Sequence, residues 1–376
     1  MAHAYTPGLK VTDNEVVSKR RILPLKGEVV VESGVTVEPD DVVARTFLPG
    51  KVEIVNVANK MGVDQSDVPE AMIKNEGDRV ICGEVIAVKK ALFGLLKSEA
   101  TACLDGTIES ISGVTGQVVL RTDPEPVDVR AYVEGRVVEV MPEEGVTVET
   151  CGAYLQGIFG VGGETHGELV IVSPDAHSVL NGSDISADHS GKIVVGGSLV
   201  TGAALKRAIQ LGVRGVVVGG FDDQDLREFL GGDLGVAITG HENLGVTLIV
   251  TEGFGQIDMA PTTYALLKKH AGARASINGA TQIRAGVIRP EVIIPLADAS
   301  PSASVATETK GMAAGGPVRI IRNPYFGCLG TVKSLPPEPG TLESGSKARV
   351  VEVELTSTNE VVIVPRANVE IIEGHD

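Results

Sequence analysis

Tryptophan is absent from this 376-residue sequence, and aromatic residues make up only 3% of it. Unpaired bases are commonly held by stacking on aromatic faces, so an extended single-strand nucleic-acid platform is disfavoured. Positive charge is also in deficit: 33 lysines and arginines stand against 49 acidic side chains, for a formal charge of −16. A protein living on a phosphate backbone needs the opposite balance, because its basic side chains displace condensed counterions. No apolar run approaches the ~18 residues that cross a bilayer. The first residues, MAHAYTPGLK, lack the apolar stretch of a secretory signal. The expectation is a water-soluble, cytoplasmic chain with no membrane partner. Cysteine is scarce as well. Cys82, Cys103, Cys151 and Cys328 stand far apart in sequence with no C-x-x-C pair, whereas structural zinc sites are announced by close ligand pairs. Buried free thiols are expected, with no metal and no cofactor.

What is present is enough to pack an interior. Apolar residues reach 43% and charged residues 22%, and the length suggests several domains. The front half carries an internal repeat. Gly34-x-x-Val37-x4-Val42-Val43-Ala44 matches Gly77-x-x-Val80-x4-Val85-Ile86-Ala87, and a degraded third copy runs from Gly145 through Val148 to Ala153-Tyr154-Leu155. A second unit, Ala102-x3-Gly106-x-Ile108-x2-Ile111-x4-Gly116, recurs as Ala131-x3-Gly135-x-Val137-x2-Val140-x4-Gly145. Alternating apolar residues after a turn glycine mark short strands with one buried face. Their repetition predicts interlocked hairpins sharing a core.

The stretch GDRVICGEVIA followed by ATACLDGTIESI resembles the two halves of a barrel-sandwich hybrid domain. This is the biotinyl/lipoyl carrier fold, used without a carrier lysine at the front of RnfC-type proteins. Counting back from Asp105 to the carrier position reaches Leu95 and not Lys97, which has no flanking methionines. The resemblance therefore implies a non-carrier module, with Lys97 a solvated lysine. The apolar tip ALFGLL beside it suits docking onto another module or partner.

The glycine-rich GIFGVGGETHG at 157–167 has no P-loop lysine and leads into a strand-like GELVIVSP, so it reads as a hinge or tight turn. From about 168 to 297 the rhythm becomes strand, then helix. KIVVGG precedes a helix containing Leu205, Ala208 and Ile209 and stopped by Gly212. VRGVVVGG precedes the acidic start DDQDLREFLG, and VTLIVTEGFG precedes a helix opening at Pro261. Continuous Val/Ile strands between amphipathic helices predict a mostly parallel sheet covered by helices. Residues 299–316 are small and polar, a linker by composition.

The run VRIIRNPYFGCLGTVKSL closely resembles the KOW motif of NusG-like and ribosomal proteins, with Gly327 and Gly330 at its tight turns. The resemblance covers the last sixty residues and implies an SH3-like barrel. The expected fold is thus multidomain. An N-terminal extension (1–19) precedes a barrel-sandwich-hybrid-like β region (20–160). An α/β domain (161–298), a linker (299–316) and a KOW-type barrel (317–374) follow.

Ligands in sheets of alternating strand and helix sit beyond the carboxyl ends of the strands. Three loops meet there, offering Gly197 and Ser198, Asp222 and Asp223, and Glu252 and Gly253 as ligand-binding candidates. Amides ahead of a helix suit phosphate, and the carboxylates suit a metal or a general base. The same residues equally serve as strand-to-helix turns and N-caps. The polar stretch 173–191, with His177, His189, Asp175, Asp184 and Asp188, reads as turns, and GHENLG lacks the second histidine of a zinc protease. In the C-terminal unit, Arg319, Arg322, Tyr325, Phe326 and Lys333 are the candidates for RNA or partner contact. Residues 317–373 hold six basic and seven acidic side chains, which tilts the module toward protein docking. No catalytic nucleophile motif is present. The favoured function is a non-catalytic scaffold with protein partners. The alternatives are a phosphorylated-ligand or nucleotide enzyme or sensor, and a NusG-like RNA- or ribosome-associated factor.

Overall fold

The computed structural model describes residues 9–91, 96–222, 225, 244–281, 288–296, 312–320, 324–325, 328–341, 347–356 and 358–371. The fold is β-rich, with several sheets, one of them large and mixed. No helix among the described residues is long and apolar enough to cross a membrane.

The sequence repeat is a repeat of hydrogen bonds. Gly34 and Gly77 both take left-handed φ, +89° and +91°, a conformation cheap only for glycine. From there the Gly34 amide donates to the Val137 carbonyl at 2.7 Å, and the Gly77 amide to that of Ile108 at 2.8 Å. Ala131 donates to Asp41 at 2.9 Å, and Ala102 to Glu84 at 2.8 Å. Gly135 and Gly106 are held to glycine for another shared reason. A Cβ would lie 2.3 Å from the Glu149 carbonyl in one and 2.1 Å from that of Arg121 in the other. Each copy has its own core. Val37, Val43, Val137 and Val146 pack in one, and Val80, Ile86, Ile108 and Val118 in the other. Two short helices, Val57–Met61 and Val68–Ala71, close the second core.

The degraded third copy does different work. It forms the long strand Gly145–Gln156, which pairs antiparallel with Val11–Ile22 along one edge. Its other edge pairs first with Gly135–Met141 and then with Glu291–Pro295. One sheet therefore runs continuously through the region where the sequence suggested a boundary, near residue 160.

The middle of that sheet is parallel, as Val/Ile continuity predicted. Glu164–Ile171, Ile193–Val195, Gly215–Phe221 and Thr247–Phe254 lie side by side. Alternation assigns their two faces. Val194, Val216, Val218 and Leu248 pack with Ala204, Leu205 and Ala208 of the helix Gly202–Gln210. Ile193, Val195, Val217 and Ile249 pack with Tyr264, Leu266 and Leu267 of the helix Pro261–Lys269. The helices thus cover opposite faces, which is why Ile193–Val195, Gly215–Phe221 and Thr247–Phe254 are buried on both sides. GIFGVGGETHG contains a short strand, Phe159–Val161, and a turn at Gly162 (φ +89°) into Glu164–Ile171. The helix expected over DDQDLREFLG lies, apart from Asp222 and Asp225, outside the described residues, as do the tip at 92–95 and most of the linker.

The C-terminal unit is a five-stranded antiparallel sheet: Pro317–Ile320, Leu329–Ser334, Val350–Leu355, Val361–Pro365 and Val369–Ile371. Val318, Ile320, Val332, Val351 and Val353 form a core of its own.

The cysteines correct one expectation. All four are free, but Cys82 and Cys103 are exposed and Cys151 and Cys328 half-buried. Apolar neighbours in sequence did not translate into burial, because Cys82 lies in a turn and Cys103 in a bend between strands.

Candidate functional site

The carboxyl ends of the parallel strands are filled by the chain itself. A Cβ on Gly197 would lie 2.4 Å from the Ser178 carbonyl, one on Gly219 2.3 Å from that of Ile257, and one on Gly220 2.0 Å from that of Gly255. None of these three has left-handed φ, so close approach of backbone is what holds the positions to glycine. The amides are engaged as well. Ser198 donates its amide to the Ser178 carbonyl at 2.9 Å, and Gly219 donates to Gly197 at 2.8 Å. The buried Ser198 hydroxyl donates to the His177 carbonyl at 2.6 Å. Thr201 Oγ1 accepts the Ala204 amide at 3.2 Å and Asp225 Oδ2 the Gly202 amide at 2.8 Å, so the helix N-terminus holds the chain's own carboxylate. Gly253 is buried opposite Gly220 in the ladder. Asp222 is exposed and accepts the Asp225 amide at 3.3 Å; Asp223 lies outside the described residues.

Glu252 has a different role from either one its position suggested. It is buried, and its Oε1 accepts the Ala260 amide at 3.0 Å. Its Oε2 lies 2.7 Å from Nη2 of Arg319, whose side chain is 3% exposed. Two candidates placed by sequence in different units are therefore partners. A second buried pair stands beside the first: Arg289 Nη2 lies 3.1 Å from Oε2 of Glu370. Arg319 and Glu370 are themselves directly opposite in the C-terminal ladder. Burial pushes the Glu370 carboxyl above its usual range, while Arg289 and Arg319 pull the other way. These four side chains join the C-terminal unit to the strand-end face of the large sheet. The chemistry they offer is fixed charge complementarity in a desolvated contact, where partners cannot be exchanged for water cheaply.

The remaining C-terminal candidates are dispersed. Tyr325 packs against the C-terminal core. Lys333 is exposed and pairs with Glu354 at 2.8 Å. Arg322 and Phe326 lie outside the described residues. Arg289 and Glu370 escaped sequence reasoning. The signal available was a charge inside an apolar run, as in Val369-Glu370-Ile371, since a buried charge needs a partner.

Two further polar clusters sit between the front region and the parallel sheet. His166 Nε2 meets Asp40 at 2.9 Å, and its Nδ1 faces Arg214 and Arg274, each at 3.3 Å. Arg21 holds Glu164 through two contacts of 2.7 Å. Glu164 lines two open clefts, one of about 440 Å³ beside Gly163 and Arg214, the other of about 410 Å³ beside Arg20 and Arg130. Deeper in, Glu291 accepts hydrogen bonds from Lys19 (2.6 Å), Tyr154 (3.1 Å) and Tyr132 (3.3 Å). Burial and the facing carboxylate push both phenols well above their ordinary range.

In the polar stretch 173–191, Asp175 Oδ1 accepts the amides of His177 and Ser178, and Ser186 donates its amide to His189. This is turn chemistry, as read from the sequence. The exposed His177 ring meets Asp258 at 2.6 Å, which raises its pKa. Among the described residues no group of three His, Cys, Asp or Glu side chains is placed to hold a metal ion. No protein-family model matches the chain, and no curated protein matches it in sequence.

Proposed function

We propose that this chain is a cytoplasmic, non-catalytic scaffold or adaptor that assembles with protein partners through its β modules. On this reading the front region is a barrel-sandwich hybrid of the RnfC-like, non-carrier kind, and the C-terminal sheet is a KOW-type, SH3-like barrel used for docking. The carrying observation is the commitment of Glu252 to Arg319 at the strand-end face. The carboxylate best placed to serve a ligand instead anchors another unit of the same chain. The packed Gly197, Gly219 and Gly220 backbones fill the space beside it. Large apolar side chains meanwhile stand outward on the β units, including Phe47 (62% exposed), Ile81 (65%) and Ile363 (62%). An RNA-binding use of the C-terminal unit is less well supported, because Arg319 is buried and Lys333 already faces Glu354.

The test uses the tagged full chain as bait in cell extract, beside a Phe47→Asp/Ile81→Asp/Ile363→Asp variant that retains its fold by circular dichroism. A partner protein held by the wild type and lost by the variant supports the reading. A panel of nucleotides and sugar phosphates is run in parallel by thermal shift. A ligand-induced shift abolished by Asp222→Ala, with no protein captured, sinks it in favour of the enzyme or sensor. Salt-sensitive retention of RNA, again without a protein partner, sinks it in favour of the ribosome-associated factor.

A further inference from the structure

Two of the four cysteines, remote in sequence, meet in the second front unit. Val80 pairs with Gly106 on one side of them and Val85 with Thr101 on the other, both antiparallel. Between these pairs the Gly83 amide donates to the Ala102 carbonyl at 2.9 Å, and the Ala102 amide donates to Glu84 at 2.8 Å. Cys82 stands in the turn between Arg79–Val80 and Val85–Ala91, and Cys103 in the bend between Leu96–Thr101 and Gly106–Ser112, next to these two bonds. Cys82 Sγ lies 3.4 Å from the Cys103 carbonyl oxygen. The Cys82 amide is fixed by Asp105 Oδ1 at 2.6 Å. A disulfide bridges Cα atoms about 4.4–6.8 Å apart, and the Cys82 sulfur already touches the Cys103 backbone. Both thiols are exposed, while Cys151 and Cys328 are half-buried elsewhere.

We infer that Cys82 and Cys103 are a redox modification site that closes reversibly to an intramolecular disulfide when a low-molecular-weight disulfide, such as oxidised glutathione, is present. One cysteine, as thiolate, attacks a sulfur of the external disulfide. That S–S bond breaks, and one external thiol leaves carrying a proton. The second cysteine then attacks the protein sulfur of the mixed disulfide, and the second external thiol leaves with the other proton. Two protein thiols are oxidised and one external disulfide is reduced to two thiols, so atoms and electrons balance. Exposure gives the first step access, and the contact of the Cys82 sulfur with the Cys103 backbone favours the second over release of the adduct.

The bond has a structural consequence. The ring it closes contains the hairpin Val85–Ala91 and Leu96–Thr101. Its base is held by hydrogen bonds, by the Lys74–Glu84 ion pair and by packing of Ile86, Ala100 and Ala102 into the core, with no covalent tie. A covalent tie at that base restricts opening of the hairpin.

The full-length chain is incubated with oxidised glutathione, quenched in acid, alkylated under denaturing conditions and digested without reduction. The expected product is a peptide pair joined through Cys82 and Cys103, with Cys151 and Cys328 alkylated. Cys82→Ser is expected to stop at a glutathione adduct on Cys103, and Cys103→Ser at one on Cys82, because each lacks the resolving thiol. A wild type that stops at the adduct overturns the inference. So does one that stays fully reduced, or that links other cysteines or two chains. Amide exchange across 85–101 is expected to slow on oxidation and recover with a reductant; unchanged exchange overturns the restriction of the hairpin.

Discussion

Arg319 and Glu370 face each other across the first and last strands of the C-terminal sheet, yet neither takes the other as its principal partner. Arg319 reaches Glu252 at 2.7 Å and Glu370 takes Arg289 at 3.1 Å. Arg319 Nε and Glu370 Oε1 are buried without a hydrogen-bond partner. An arginine that turned back to Glu370 would satisfy its own sheet and leave Glu252 buried and unpaired. The observed arrangement gives up local pairing for two ion pairs that cross between units. Those pairs make the docking geometry specific, because each of the two C-terminal charges takes its partner from the other unit in place of the one facing it in its own sheet.

Breaking one pair is therefore expected to cost more than removing it. Arg319→Met or Glu252→Leu alone leaves a buried charge unmatched, and losses of about 3–5 kcal/mol are typical of such truncations. The double variant Arg319→Met/Glu252→Leu replaces both charges by apolar groups of similar size and is expected to recover most of that loss. Chemical denaturation of the four proteins, analysed as a double-mutant cycle, checks it. Additive losses mean that the pair does not couple the units.

The sequence made periodic features legible and contacts between distant segments illegible. The matched glycines of the front half predicted hairpins, and Gly34 and Gly77 take the same left-handed turn. Val/Ile continuity predicted a doubly covered sheet, and Val216 and Val217 do face opposite helices. Local spacing carries that information. Glu252 and Arg319 are 67 positions apart, and nothing in their neighbourhoods names the partner. Glycine is ambiguous in another way. The letter does not say whether it supplies a dihedral, as at Gly77, or an absent Cβ, as at Gly220, and the strand-end loops look like ligand loops for that reason. Cys82 and Cys103 are exposed where the sequence predicts burial, because apolar letters do not reveal that these positions fall in a turn and a bend between strands.

That distinction separates two alanine substitutions. In Gly220→Ala the new Cβ would lie 2.0 Å from the Gly255 carbonyl, backbone that moves only with its strand. In Gly77→Ala nothing stands within 4 Å, and the cost is the left-handed φ alone, about 1 kcal/mol. Overpacking typically costs about 1–3 kcal/mol and here displaces a strand end. Gly220→Ala is thus expected to be the more destabilising of the two by urea denaturation, and the only one to disturb amide exchange around Ile257. The reverse order means that Gly220 is set by conformation.

His177 offers a titration with a single dominant cause. The hydrogen bond and charge of Asp258 raise its pKa above 6.5, while slight desolvation opposes them. Asp258→Asn removes the two largest raising effects and leaves only the charge of Asp175, and the imidazole is expected to titrate at lower pH when followed by nuclear magnetic resonance. The ring is 74% exposed, so global stability is expected to change little. An unshifted midpoint means that the 2.6 Å contact does not persist in solution.

Glu370 supplies the pH dependence with the clearest sign. Burial raises its carboxyl above the ordinary glutamate value of 4.5, so the folded chain holds this proton more tightly than the unfolded chain. A group shifted upward contributes stability that is fully present below 4.5 and lost as pH rises through the raised folded value. Glu370→Gln keeps the shape and removes the titration. The stability difference, wild type minus variant, is therefore expected to be most positive in acid and to fall as pH rises, with Arg289 and Arg319 limiting the fall by favouring the anion. Denaturation midpoints for both proteins across a pH series from 4 upward (about the unfolded carboxylate value) supply the measurement. A difference that grows with pH would mean that the two arginines outweigh burial, and that the contact between the units is strengthened by ionisation of Glu370.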